Sequence, residues 1–252
     1  MKPLLCAQAI MKTYGAGAEK HPVLNAVSVE ISRGEFVAVM GPSGSGKSTL
    51  LFALSGMDRV DGGEVIFDGQ KLSGLTDDTL SDLRREQMGF VFQSPTLLKN
   101  LTLLDNILLP LMRDHRQDRK KLLAKARRLM QQLGIADLAQ REITQVSGGQ
   151  LQRAGICRAL MNEPQIIFGD EPTGALNSRS AKEVLEHFTQ INANGTAVLL
   201  VTHDTQVAAR ASRVLFMQDG RIVSELALAA YTAAEQEIRV AQITTHLLRL
   251  GI

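Results

Sequence analysis

The chain has 252 residues, 44% of them hydrophobic, enough to bury a sizeable core in one large domain or two modest ones. Its 28 basic residues against 26 acidic leave a formal net charge of +2, too near balance to point to nucleic acid or an anionic membrane surface as a partner. Its two cysteines, Cys6 and Cys157, show no CxxC spacing, which argues against a disulfide framework or a zinc site, fits a reducing compartment and marks both as core thiols.

In chain order, the opening apolar stretch is broken by Lys12 and lacks a small-residue cleavage pattern, so it reads as a strand over residues 4–10 rather than a signal peptide. Residues 23–31 and 36–40 also read as strands; in the first of these Val27, Val29 and Ile31 alternate with polar residues, the period of a half-buried strand. Residues 64–67 and 88–92 add two short strands, with Asp68 and Gly69 supplying a turn after the first of them. Over 101–134 the pattern turns helical: Leu122, Ala126, Leu129, Met130 and Leu133 share a face, and Arg119, Lys120, Lys121, Lys125, Arg127 and Arg128 lie mostly off it as a solvated surface. Residues 165–168 and 196–202 are apolar and β-rich, each followed by a helical stretch, the alternation of a parallel sheet with helices on its faces. Near the C-terminus Val240, Ile243, Leu247 and Leu250 fall at helical spacing and suit core or dimer packing. No apolar run approaches the roughly 18 residues a spanning helix needs, so a membrane role would be borrowed from a partner.

The strongest chemical signal is GxxxxGK[ST], spelled by Gly41, Pro42, Ser43, Gly44, Ser45, Gly46, Lys47 and Ser48 and followed by Thr49. It lies directly after the strand 36–40 and directly before a helical stretch. This is the setting of a P-loop: glycines turn backbone N–H groups around phosphates, the helix points its positive end at them, Lys47 reaches the β- and γ-phosphates, and the Ser48 hydroxyl ligates Mg²⁺. A nucleotide also needs carboxylates for the metal and for the attacking water. The apolar run 166–168 leads through Gly169 to two of them, Asp170 for Mg²⁺ and Glu171 as the base or water-orienting group.

Ser147, Gly148, Gly149 and Gln150, followed by Leu151, Gln152 and Arg153, resemble the signature motif of ABC (ATP-binding cassette) ATPases. Five further matches stand in that family's order. Tyr14 resembles the residue that stacks on adenine; Gln93, after the strand 88–92, resembles the Q-loop glutamine; the P-loop lies between them. Gly174, Ala175, Leu176 and Asn177 resemble the D-loop, and His203 the switch histidine. The likeness spans residues 4–223.

It implies an α/β fold, a P-loop NTPase with a parallel core sheet, an N-terminal antiparallel β subdomain and a helical subdomain. The implied division of the single cassette 1–252 is a core at 1–92 and 162–223, a helical and signature part at 93–161, and a helical C-terminal extension at 224–252. ATP and Mg²⁺ are the implied cofactors, with Ser48, Asp170 and Gln93 around the metal and Glu171, His203, Gln93 and Lys47 serving hydrolysis. A second copy of the chain, head to tail, would place its Ser147, Gly149 and Gln150 on the first copy's nucleotide. An integral-membrane permease would dock on Gln93 and the apolar run 95–110, holding the chain at the cytoplasmic face of the membrane; no nucleic acid is expected.

The run 169–178 together with 100–110 resembles cassettes that work with FtsX-like permeases, a group including MacB-type exporters, lipoprotein-release systems and Bce-type systems against peptide antibiotics. The Bce-type likeness is the strongest of these and implies a role in antimicrobial-peptide resistance. Nontransport members of the family, acting in the envelope or on nucleic acid and ribosomes, are the alternative. About a hundred residues between Gly41 and Ser147 without sustained heptads, and one cassette rather than two, argue against the SMC-like and ABC-F forms. Two residues depart from the family pattern. Asn177 replaces an aspartate, keeping a hydrogen-bonding group without its charge, and Gly169 stands where a bulkier residue is usual, which predicts a loosely packed strand end.

Overall fold

In the computed structural model, which describes residues 2–15, 17, 20–112 and 118–252, the alternating N-terminal segments pair as β1 (Leu5–Tyr14) and β2 (His21–Ile31). Leu5 faces Ile31 and Tyr14 faces His21, so both strands run further than the side-chain alternation alone implies. The ribbon is kinked at Ala9, whose φ is 48° and whose N–H donates to Ser28 Oγ at 2.9 Å, a bulge that re-sets the register between Ala7 and Ile10. Then β3 (Phe36–Met40) leads to α1 (Lys47–Leu54), and β4 (Gly62–Phe67) and β5 (Gln70–Lys71) complete an antiparallel sheet in the order β2-β1-β4-β5.

The helix α2 (Asp77–Gln87), to which the sequence pattern assigns no element, starts at Thr76, whose hydroxyl accepts from the Thr79 N–H, with Asp77 and Asp78 in its first turn. After β6 (Met88–Phe92), the helical stretch expected over 101–134 is divided into α3 (Leu103–Leu108), a 3₁₀ turn at Leu109–Leu111, and α4 (Arg119–Gln132); residues 113–117 of that stretch lie outside the described residues. Ala126 and Met130 are fully buried on the apolar face of α4, while Lys125 on its polar side pairs with Glu163 at 2.6 Å.

Onward run α5 (Gly148–Leu160), β7 (Ile166–Asp170), α6 (Ser178–Ala193), β8 (Ala197–Val201), α7 (Thr205–Ala208), β9 (Arg213–Gln218), β10 (Arg221–Ala227) and α8 (Gln236–Leu250). The second sheet has the order β10-β9-β3-β8-β7-β6, parallel except for the antiparallel edge pair β9–β10. That pair, to which the sequence pattern assigns no element, turns at Asp219 and Gly220 with φ of 48° and 74°, the Asp-Gly signal of a two-residue hairpin, and its β10 continues through Ala227. The segment 224–252 therefore begins as strand, and its helix starts only at Gln236.

Strand alternation divides the apolar residues between two cores. Phe36, Ala38 and Met40 face one cluster with α3, α4, α5 and α6, whereas Val37 and Val39 face the other with α1 and the antiparallel sheet. β8 divides the same way, Val198 and Leu200 against Ala197, Leu199 and Val201. Burial on both faces is why these strands read as continuous apolar runs. Both cysteines are buried free thiols, Cys157 with its pKa pushed up to about 12 by burial. Ile243 of α8 is fully buried, and Val240, Leu247 and Leu250 pack beside it, so the helical spacing near the C-terminus serves the core. Among the described residues no helix is long and apolar enough to cross a membrane.

Candidate active site

Parallel pairing brings Val39 of β3 and Asp170 of β7 each opposite Val201 of β8, and Phe92 of β6 opposite Asp170. The loops that leave these four strand ends therefore converge at one edge of the sheet, the usual location of a ligand site in such folds. At Gly41 (φ 156°) a Cβ would lie 2.1 Å from the Met217 carbonyl oxygen, and at Gly46 (φ 98°) 2.7 Å from that of Val23, so only glycine lets the loop pass this close. Pro42, Ser43 and Gly44 are exposed along the loop. Gly46 caps α1 without a side-chain hydrogen bond and no acid lies in the first turn, so the N-terminal end holding Lys47, Ser48 and Thr49 is electropositive. Ser45 is 3% exposed, and its buried Oγ has no hydrogen-bond partner. The Lys47 ammonium donates to the carbonyls of Gly41 at 2.9 Å and Pro42 at 2.8 Å; burial lowers its pKa, against the opposing pull of Glu171 and Asp170.

Across the loop, Ser48 Oγ donates to Asp170 Oδ1 at 3.0 Å, and burial raises the Asp170 pKa despite that bond. Glu171 occupies the left-handed region at φ 47°, with its N–H held by the Val201 carbonyl at 2.9 Å. Such a conformation is unfavourable for a non-glycine residue and persists where surrounding bonds impose it. It turns the carboxylate toward the end of β8, where Oε1 accepts the His203 N–H at 3.1 Å and lies 2.7 Å from His203 Nδ1, and Oε2 accepts from Thr202 Oγ1 at 3.3 Å. Gln93, one residue beyond β6, lies against the loop after Glu171: a Cβ on Gly174 would stand 2.9 Å from its Nε2.

The strand end before Asp170 is filled, contrary to the expectation for Gly169. A Cβ there would meet Leu200 Cδ2 at 2.3 Å, because Leu200 of the adjacent strand occupies the space a side chain would take. The signature residues stand elsewhere, at the start of α5. Ser147 and Gln150 form a reciprocal capping box, Gln150 Oε1 accepting the Ser147 N–H at 2.8 Å, and Gly149 is pressed on α6, where a Cβ would lie 2.7 Å from Ser180 Oγ. Asn177 is the N-cap of α6, its Oδ1 accepting the Ser180 N–H at 2.9 Å. An amide serves that bond as well as a carboxylate does, which accounts structurally for the missing charge.

Tyr14 ends β1 with 42% exposure, its hydroxyl donating to Asp58 Oδ2, and the Lys12 ammonium lies 5.2 Å from its ring centroid. Sequence reasoning missed Asp58 and Thr202. Asp58, in the loop between α1 and β4, meets Lys12 and Tyr14 only through side chains brought from β1 and carries no motif, whereas Thr202, directly before His203 at a strand end, was legible from its position. The assembled residues are suited to holding a polyphosphate on the P-loop and to taking a proton at Glu171.

This fold and P-loop edge are those of ATP-binding cassettes. The chain matches the family described as ABC transporter over residues 24–174 and belongs to it. It is 42% identical over 224 residues to the macrolide export ATP-binding/permease protein MacB of Pasteurella multocida (strain Pm70), covering 89% of this chain and 34% of that protein. It is 45% identical over 223 residues to the MacB of Escherichia coli (strain K12), covering 88% of this chain and 34% of that one. The chain thus spans about a third of the length of the curated relatives it matches. Among solved structures it is similar to the ATP-binding cassette MJ0796, a dimer in a post-hydrolysis state bound to ADP and Pi, with 37% identity, a TM-score of 0.83, and coverage of 90% of this chain and 100% of that one.

Proposed function

We propose that this chain binds and hydrolyses ATP as the nucleotide-binding part of an ABC transporter. The observation that carries the proposal is the juxtaposition of Ser48–Asp170 with Glu171–His203 beside the P-loop. Lys47 leaves the carbonyls of Gly41 and Pro42 for the β- and γ-phosphates, the N–H groups from Gly44 to Thr49 surround them, and the orphaned Ser45 hydroxyl gains an acceptor. Ser48, Asp170 and Gln93 offer hard oxygen donors that fit Mg²⁺, and those residues would hold it, with Asp170 acting directly or through water. The metal supplies charge neutralisation at the phosphates. Glu171 orients and deprotonates the attacking water, His203 fixes that carboxylate and the γ-phosphate, and Tyr14 stacks on the adenine.

Ser147, exposed at the N-terminal end of α5, would with Gly149 and Gln150 serve the nucleotide of a second copy, as the signature likeness implies. Exposed Leu98, Leu109 and Met112, close along the chain to Gln93, suit an apolar contact with a membrane permease, FtsX-like by the motif likeness, which would keep the chain at the cytoplasmic face. Macrolides, by the names of the MacB relatives, and peptide antibiotics, by the motif likeness, are the cargo classes proposed.

The test is the mass of Glu171→Gln with Mg-ATP by light scattering, together with the turnover of both proteins. A stable dimer only in Glu171→Gln, and phosphate release only in the wild type, are expected; a variant that hydrolyses at the wild-type rate would overturn the role of Glu171. Purification from native membranes with a multispanning permease and two copies of the chain supports the transport assignment, and recovery with ribosomes or DNA instead would overturn it.

A further inference from the structure

The segment from β8 to β9 carries His203, yet its only helix, α7, is a single turn of four residues. A helix this short has little stability of its own and leaves its last carbonyls without intrahelical partners. Its front end is held: Asp204 caps it, accepting the Gln206 N–H at 2.7 Å, and His203 bonds to Glu171. Its back end is held from α8, more than twenty residues further along the chain.

Arg239 of α8 is 3% exposed. Its Nε donates to the Ala209 carbonyl at 2.7 Å, Nη2 donates to that of Ala211, and Nη1 to that of Ala229 at 2.7 Å. One turn earlier Gln236 Nε2 donates to the Gln206 carbonyl at 3.1 Å and to its side-chain Oε1 at 2.9 Å. The centre of the Tyr231 ring lies 4.5 Å from the Arg210 guanidinium and 5.6 Å from that of Arg239. A buried cation is costly unless its donors are satisfied, and here they are met by the carbonyls of Ala209 and Ala211 just after α7 and by that of Ala229 ahead of α8. An apolar side chain would fill the same space without fixing those carbonyls. Ala208, Ala209 and Ala211 beneath them are fully buried, so the turn cannot shift without disturbing the core.

We infer that Arg239 is a positioning residue for His203: α8 is a strap that locks α7 from behind and so sets where the His203 segment meets Glu171. The inference rests on the hydrolytic role proposed for Glu171 and His203. It goes further in giving the C-terminal helix a part in turnover, through backbone carbonyls rather than contact with nucleotide. Lysine at 239 keeps the charge but not the planar fork that reaches three separate carbonyls, so Arg239→Lys separates geometry from charge.

The test uses the full chain as wild type, Arg239→Lys, His203→Ala and the double variant, with steady-state ATP turnover, hydrogen–deuterium exchange over residues 203–211, and thermal denaturation to verify folding. Arg239→Lys is expected to lower kcat about tenfold with KM changed less than about twofold, and to speed exchange over 203–211. On the His203→Ala background the same substitution is expected to change the residual kcat less than about twofold, since its effect passes through His203. A wild-type kcat in Arg239→Lys, an undiminished tenfold loss on the His203→Ala background, or unchanged exchange would each overturn the strap. Absence of turnover in the wild-type chain would overturn the ATPase assignment itself, and the strap's role in turnover with it; the exchange measurement still reports the strap separately.

Discussion

Gly169 and Leu200 form a pair whose coupling can be worked out from the packing. Gly169→Ala would place a methyl group 2.3 Å from Leu200 Cδ2, inside the contact distance of any two carbons, and Leu200 is fully buried with the core cluster behind it. Relieving the overlap requires an off-rotamer leucine or a strand shift, a loss of about 1–3 kcal/mol. Leu200→Ala alone removes buried methyl groups and leaves a cavity, a loss of about 2–5 kcal/mol. In the double variant the new methyl group at 169 no longer meets Leu200 Cδ2 and partly fills the space vacated, so its loss is expected to fall below the sum by about 1–2 kcal/mol. At about 2–4 °C per kcal/mol for a chain of this size, calorimetric melting of the four proteins resolves the difference. Additive losses within about 0.5 kcal/mol, or an unchanged Tm in Gly169→Ala, would refute the packing account.

Asn177→Ala removes the N-cap of α6 and is expected to cost about 1 kcal/mol, whereas Asn177→Asp keeps the cap, melts close to wild type, binds ATP normally and alters turnover modestly; loss of ATP binding in the aspartate variant would contradict the placement of Asn177 outside the nucleotide contacts. His203→Ala is expected to retain nucleotide affinity while kcat falls about a hundredfold or more, and wild-type turnover in that variant would remove the switch role. Burial pushes the Asp58 carboxyl up, but hydrogen bonds from Lys12 and Tyr14 outweigh it and hold its pKa below the usual 3.8. A depressed carboxylate adds stability that is present above the unfolded pKa and lost as pH falls through the folded one. The stability gap between wild type and Asp58→Asn is therefore expected to be full at neutral pH and to shrink below about pH 4; a gap constant down to about pH 2 in denaturant titrations would argue against the Lys12–Asp58–Tyr14 cluster.

The parts of this protein written in local order were legible from the chain itself. Gly41 to Ser48, the apolar run ending in Asp170 and Glu171, and Ser147 to Gln150 each carry their chemistry within a few residues. The alternation of Val27, Val29 and Ile31 and the continuous apolar runs at 36–40 and 196–202 report how many faces of each strand are buried, so the layered sheet followed from them. Tertiary structure alone decided what depends on residues distant in sequence. The β9–β10 hairpin is marked locally by Asp219 and Gly220, but its place at the edge beside β3 is set only by the sheet. Gly169 reads as an empty position until Leu200, on the neighbouring strand, is seen to occupy it. Asn177 reads as a lost charge until α6 shows it to be a cap, and nothing in the pattern around Arg239 marks its partners until α8 folds its guanidinium onto the carbonyls of Ala209 and Ala211 after α7. Periodicity records which side of an element is buried, but the identity of the group it is buried against is settled only by the packing of elements far apart in the chain.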